Sequence, residues 1–221
     1  MPGPIMNLPF TAEQFLGVFR DYNLAVWPAQ ILALLLATWC IALALGGPTG
    51  SRLISALLAT LWLWMGVVYH GVFFSRINPI AIGFGALFVV EAFLIVRAGI
   101  LRRSLRFQAR RDRAGVAGAL LMAYGLLVYP VLGAAAGHGW PQTPSFGLPC
   151  PTTIFTLGML LWSDSPTPRH LLVIPMLWSI LGVSAALRLG VIEDFGLVVA
   201  AVVAAVFLLP NRARGAAIVS H

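Results

Sequence analysis

"AVWPAQILALLLATWCIALALG", residues 25–46, contains no charged side chain. A helix that crosses a bilayer needs about 20 largely apolar residues in a row. This run therefore decides the fold class: an all-α, polytopic integral membrane bundle. Comparable runs recur at 53–74, 79–99, 115–136, 149–163, 170–187 and 191–209. The fifth is short and the sixth slightly so. Together they predict seven transmembrane helices spanning 25–209, or six if the fifth only re-enters the membrane.

The composition leads to the same place. The chain has 221 residues, 60% of them hydrophobic and 10% charged, with a mean hydropathy of +0.92. A soluble domain carries roughly 25% charged residues, so too few remain here to cover a water-facing surface. The formal charge is +7, and all 14 basic residues are arginine. They concentrate in one loop, "LRRSLRFQARRDR" (101–113), between apolar runs. Membrane orientation explains that clustering better than nucleic-acid binding does, and no nucleic-acid partner is expected. Without lysine, a retinal-type Schiff base is excluded.

The arginines also orient the chain. With the N-terminus outside, the inner loops and ends hold Arg52, Arg97, Arg102, Arg103, Arg106, Arg110, Arg111, Arg113, Arg169, Arg212 and Arg214. Only Arg20, Arg76 and Arg188 fall outside, a strong bias under the positive-inside rule. The loop 101–113 is then cytoplasmic and within reach of anionic headgroups, and residues 210–221 form a cytoplasmic tail. Arg20 is the first basic residue, so no signal peptide is expected.

Ahead of the first run, "TAEQFLGVFRDY" (11–22) opens with a capping box, Thr11 and Gln14. Phe15, Phe19 and Tyr22 share one helical face. The N-terminal segment 1–24 is thus read as a short helix lying in the membrane interface, or as a cap packed on the bundle with that same face. A faint repeat relates "PTGSRLISALLATLWLWMG" (48–66) to "PTPRHLLVIPMLWSILG" (166–182), and "FGALFVV" (84–90) to "FGLVVAA" (195–201). It predicts two three-helix copies in parallel orientation joined by the fourth span, as in some transporters.

A few polar residues are costly where they sit. Glu91, in "LFVVEAFLIV", is the one carboxylate deep inside a run, and no lysine exists to pair with it. Such groups face a bundle interior or a water cavity, which leaves a proton or cation relay or a hydrogen-bonded structural acid. In "WLWMGVVYHGVFFSRINP" (62–79), Trp62 and Trp64 read as packing, and Arg76 with Asn78 as an ordered turn. His70, beside Tyr69, needs a polar partner. "GLPCPTTIFTLGMLLW" (147–162) sets Cys150 between two prolines at a helix start, with Thr152 and Thr153 able to cap the first turn. A helix N-terminus lowers a thiol pKa in general, yet cysteine also packs well as a small hydrophobe.

The topology puts Tyr69, His70, Arg76, Asn78, His138, Cys150, Thr152, Thr153, Glu193 and Asp194 at the outer face. Within that set, His70, His138 and Cys150 are the candidate ligands for a transition metal, zinc or copper. Their spacing matches no recognised metal motif. Nucleophile elbows, phosphate loops and zinc-protease motifs are missing from the chain, which leans away from catalysis.

Several stretches resemble a bacterial inner-membrane protein family catalogued as domain of unknown function 6064. They are "FTAEQF" with "YNLAVWPAQ" (10–15, 22–30), "LWLWMGVVYHGVFFSRINP" (61–79), "FGLPCPTTIFTLGMLLW" (146–162), "LLVIPMLWSILG" (171–182) and "EDFGLVVA" (193–200). The resemblance implies a bacterial polytopic membrane protein and brings no activity or site with it. From the residues, the first reading is a bundle that binds or transports a small solute or ion, with Glu91 and the outer cluster in the pathway. The alternatives are a membrane enzyme or redox protein with a metal or haem at the outer histidines, and a non-catalytic subunit of a membrane complex. Glycine and alanine in spans 4 and 7 permit close helix contacts, including those of an oligomer or a membrane partner.

Overall fold

A computed structural model of the protein describes residues 9–209. The tail 210–221, with Arg212 and Arg214, and the first eight residues lie outside the described residues. The described residues form nine α-helices: α1 (Ala12–Ala25), α2 (Ala29–Leu45), α3 (Ser51–Trp64), α4 (Ala81–Ile95), α5 (Arg113–Ala123), α6 (Tyr129–Ala135), α7 (Pro149–Leu161), α8 (His170–Leu189) and α9 (Phe195–Leu208). Wider π-helical turns continue α3 through Met65–Phe73 and α4 through Val96–Leu101, and Tyr124–Val128 joins α5 to α6. The described residues form no β-strand, only isolated bridges.

Four helical stretches are long and apolar enough to cross a membrane: Pro48–Arg76, Ala81–Leu101, Arg113–Ala135 and His170–Leu189. A fifth is counted if α1 and α2, bent by 86° at Trp27 and Pro28, are taken as one span. Helix length thus supports four or five spans rather than a clear seven. The apolar runs at 149–163 and 191–209 do fold as helices, but α7 has 13 residues and α9 has 14 within the described chain. At 1.5 Å per residue, 13 residues reach about 20 Å of a roughly 30 Å hydrocarbon layer.

The shortness of α7 has a packing cause. Every α7 residue except Cys150 is buried, because α5, α8 and α9 pack around it. Non-helical backbone at membrane depth is tolerated where protein covers it and satisfies its polar groups, and folded loops close both ends of α7 in that way. At the C-terminal end, the amides of Gln108 and Asp164 bond the Trp162 and Arg106 carbonyls at 2.8 Å. The Phe107 amide bonds Ser51 Oγ at 2.9 Å. The arginine-rich loop is therefore not all surface, since Leu105 and Phe107 are buried. At the N-terminal end, Asn23 Nδ2 donates to the carbonyls of Pro141 and Thr143, both at 2.8 Å, and Ser145 Oγ donates to Asn23 Oδ1.

Helix α1 forms the capping box that its sequence encodes: Gln14 N–H donates to Thr11 Oγ1, and Thr11 N–H to Gln14 Oε1. Its face of Phe15, Val18, Phe19 and Tyr22 is buried against Tyr69, Phe73 and Phe74. That face is turned to protein. The two proposed three-helix copies do not pack alike: α7 lies at the centre, whereas α2, its counterpart, packs mainly on α3. The likeness between 48–66 and 166–182 accordingly does not extend to the arrangement of the triplets.

Candidate functional site

Four of the polar residues singled out in the sequence, Tyr69, Asn78, Cys150 and Asp194, line one cavity of about 360 Å³ at one end of the bundle. Phe15 and Phe19 of α1 close one side and Trp178 and Leu181 of α8 another. Two local features bring the polar groups in. Leu148 is extended (φ −84°, ψ 158°) and Pro149 starts α7, so Cys150 enters on the first turn. Gly190 ends α8 with φ 75° in the left-handed region, where a Cβ is penalised and glycine is the usual terminator. The chain then reverses through a short 3-10 turn, Ile192–Asp194, which carries Asp194 back under the cavity.

At the floor of the cavity, Tyr129 Oη donates a short hydrogen bond to Asp194 Oδ1. The Cys150 thiol sits beside the Asp194 carboxyl, the Tyr129 hydroxyl and the Trp178 indole. Asp194 is 1% exposed, and Tyr129, Cys150 and Glu193 are among the groups around it. Arg188, near the end of α8, also lines the cavity. The walls are otherwise aromatic and aliphatic. Such a lining, with a few convergent polar groups, is the usual make-up of a small-molecule site.

The remaining residues of that predicted cluster divide. His138 Nδ1 lies 3.4 Å from Glu193 Oε1 as a separate pair, and the Glu193 carbonyl accepts from Tyr124 Oη at 2.8 Å. Arg76 lies over the Phe73 ring, 5.0 Å from its centroid, while Asn78 Oδ1 accepts from the Ile80 amide in the turn that starts α4. Thr152 does not cap α7; its hydroxyl accepts from the Gly147 amide at 3.2 Å. Thr153 is buried, and its hydroxyl has no hydrogen-bond partner among the described residues.

His70 is fully buried, and neither ring nitrogen has a partner among the described residues. Phe88, Tyr69 and Trp178 surround its ring at centroid distances of 4.7, 5.1 and 5.1 Å. The expectation that His70, His138 and Cys150 share a metal is not met by their placement. Among the described residues no group of three or more His, Cys, Asp or Glu side chains is arranged to hold a metal ion. His138 is engaged with Glu193, Cys150 faces Asp194, and His70 is walled off by rings, so a common outer end did not mean a common point.

Glu91 is also fully buried, and neither carboxyl oxygen has a hydrogen-bond partner among the described residues. It follows Phe88, whose ring packs on both His70 and Trp62, by three residues on α4.

Two residues central to the site, Tyr129 and Trp178, did not stand out in the sequence. A tyrosine in mid-span, "LLVYPVLG", does carry a usable signal, because a hydroxyl in an apolar run seeks a partner. Nothing local marks Trp178, which reaches the site only through the packing of α8 on α4 and α7.

A family model described as a family of unknown function (DUF6064) matches residues 12–217. Comparison with curated proteins and with solved structures gives no match.

Proposed function

The chain belongs to the DUF6064 family of unknown function, and from that premise we propose a multi-pass protein of the bacterial inner membrane that binds or transports a small solute or ion. The observation that carries this reading is the cavity of about 360 Å³, with a buried carboxyl, a phenol and a thiol gathered at its floor. A ligand there has apolar walls for affinity and a hydrogen-bonded acid for orientation. The seven helical runs, N-terminus outside, are the topology that the arginine distribution favours, with α7 as a short central element. Reporter fusions after residues 50, 107 and 214 should all report cytoplasm; a periplasmic signal at 107 overturns this orientation.

Glu91 belongs to the pathway in this reading. A structural acid would be held by fixed donors or acceptors, whereas a group that exchanges a proton or takes a cation must keep oxygens available, and both of its oxygens lack a described protein partner.

The direct test of the cavity is ligand-dependent stability. A compound that binds the folded state stabilises it by RT ln(1 + [L]/Kd). Small apolar and amphiphilic compounds screened against the detergent-solubilised protein should include some that raise its unfolding temperature. Cys150→Phe, which fills the cavity from its own lining, should abolish those shifts while the variant still elutes as a folded species. Shifts that persist in the filled variant would place binding elsewhere and end the cavity reading.

A further inference from the structure

At the opposite end of the bundle from the aromatic cavity, a second cavity of about 430 Å³ is lined by Arg97, Arg102, Arg169 and His170, with Ser104 and Thr167 between them. No carboxylate among the described residues lines it. None of the four basic residues takes part in the ion pairs among the described residues, which are Arg20–Asp21, Arg106–Asp164, Arg110–Asp112 and His138–Glu193. Its neighbour at the same end does contain acids, since Asp112 and Asp164 stand there with Arg110 and Arg113. The basic cavity thus gathers several of this end's arginines at one point, away from both of the acids that stand nearby.

A second observation comes from α8. The N-terminal end of a helix carries the positive pole of its dipole and favours acids or anions. Helix α8 opens on Arg169 and His170, with no capping side chain and no acid in its first turn. The Arg169 guanidinium at a positive pole is electrostatically unfavourable unless an anion lies beside it.

We propose that this cavity binds a phosphate group, held by the guanidinium groups of Arg97, Arg102 and Arg169 at the start of α8. Arginine suits that role because its planar fork matches phosphate oxygens two at a time. Ser104 and Thr167 add hydroxyls, and the Thr167 hydroxyl is buried without a partner among the described residues. The phosphate can belong to an acidic phospholipid headgroup or to a free phosphate compound. Leu208 and Leu209 on the cavity wall, and Leu101 beside it at 68% exposure, suit an acyl chain lying alongside.

Native mass spectrometry of the full chain in maltoside detergent tests this, with phosphatidylglycerol and phosphatidylcholine of equal chain length as probes. Each arginine beside an anionic headgroup contributes roughly a fivefold preference, so phosphatidylglycerol should bind at least about tenfold tighter. The combined substitution Arg97→Gln, Arg102→Gln and Arg169→Gln should remove that preference. Arg103→Gln with Arg111→Gln, charges at the same end but outside the cavity lining, should retain it. The lysine triple, Arg97→Lys, Arg102→Lys and Arg169→Lys, should keep part of it and so separates loss of charge from loss of fold. Displacement of the lipid by millimolar inorganic phosphate would identify the phosphate alone as the ligand; lipid binding indifferent to phosphate would identify the headgroup with its chains. The proposal is overturned if phosphatidylglycerol does not bind above phosphatidylcholine, if the glutamine triple keeps the preference, or if the control pair loses it equally.

Discussion

Replacing Gly118 by alanine should destabilise the protein, although alanine is the better helix former. A methyl group at 118 would stand 2.7 Å from the Gly158 carbonyl oxygen on α7, and one at 158 would stand 2.8 Å from the Gly118 carbonyl oxygen. Carbon-to-oxygen contacts between packed helices normally lie at about 3.3–3.6 Å, so α5 and α7 would have to part by roughly half an ångström or more. The opposing atoms are backbone and cannot rotate away. Overpacking of this kind costs about 1–3 kcal/mol, against a gain of about 0.5–1 kcal/mol from replacing a helical glycine. At roughly 2–4 °C per kcal/mol for a chain of this size, Gly118→Ala should lower the unfolding midpoint in detergent measurably. Gly17→Ala in α1 is the internal contrast: nothing lies within 4 Å of its added methyl, so only the propensity gain remains and the midpoint should rise. Because each glycine faces the other's carbonyl, parting the helices for one substitution relieves the second. The double variant Gly118→Ala/Gly158→Ala should thus lose less than the sum of the singles, a coupling of about 0.5 kcal/mol or more. Strict additivity, or a Gly118→Ala variant as stable as the parent, would refute a backbone-to-backbone crossing at this point.

Asp112→Ala removes the α5 cap, in which the carboxyl accepts from the Gly115 amide at 2.9 Å, and should cost about 1 kcal/mol near neutral pH. The Arg110 guanidinium, and then the Gly115 amide, hold the Asp112 carboxyl below its ordinary pKa. Its contribution is therefore complete above the unfolded-state value and fades as pH falls through the lowered one, so parent and variant should converge in acid thermal melts. Asn23→Leu strands the carbonyls of Pro141 and Thr143 and should cost about 2 kcal/mol or more; faster proteolysis between residues 137 and 148 would register it. Tyr129→Phe deprives the buried Asp194 of its hydroxyl donor, for a loss of about 1–3 kcal/mol in thermal unfolding, and an unchanged midpoint would show that Asp194 is satisfied without it. Glu91→Gln keeps size and hydrogen-bonding capacity but cannot titrate; in a transport assay it should fold and lose the pH dependence of activity, and full, normally pH-dependent activity would remove Glu91 from the pathway.

Much of the helical layout was legible because apolar runs report burial from water directly. The Thr11 capping box, the Pro149 start of α7 and the Arg76–Asn78 turn are local features, encoded in a few adjacent residues, and they form as read. The span count was less legible, since hydropathy treats a helix buried by protein and a helix bathed in lipid alike. The run at 149–163 is apolar because α5, α8 and α9 enclose it, and its length answers to the loops at its ends rather than to a bilayer. The site was read in part for a similar reason. Topology sends residues to one end of a bundle, which gathered Tyr69, Asn78, Cys150 and Asp194, but it says nothing of azimuth. Residues at the same depth can turn to different neighbours: His138 pairs with Glu193, His70 is ringed by Phe88, Tyr69 and Trp178, and Cys150 faces Asp194.

The few polar side chains of this chain separate by what they bond. Asn23, Ser51, Thr152 and Arg110 bond the backbone of the loops that close the ends of α7, through the carbonyls of Thr143 and Ser163 and the amides of Phe107 and Gly147. Their chemistry is spent on making irregular chain tolerable inside a membrane protein. A second group, Tyr129, Cys150 and Asp194, bonds mainly within itself and faces a cavity. A third, His70 and Glu91, is buried with nothing described to bond. Burying such groups costs free energy that packing alone does not return, and an apolar residue at either position would avoid it. The first group accounts for the fold; the other two carry polar chemistry that the fold does not need, and it is on them that the proposed binding site and pathway rest.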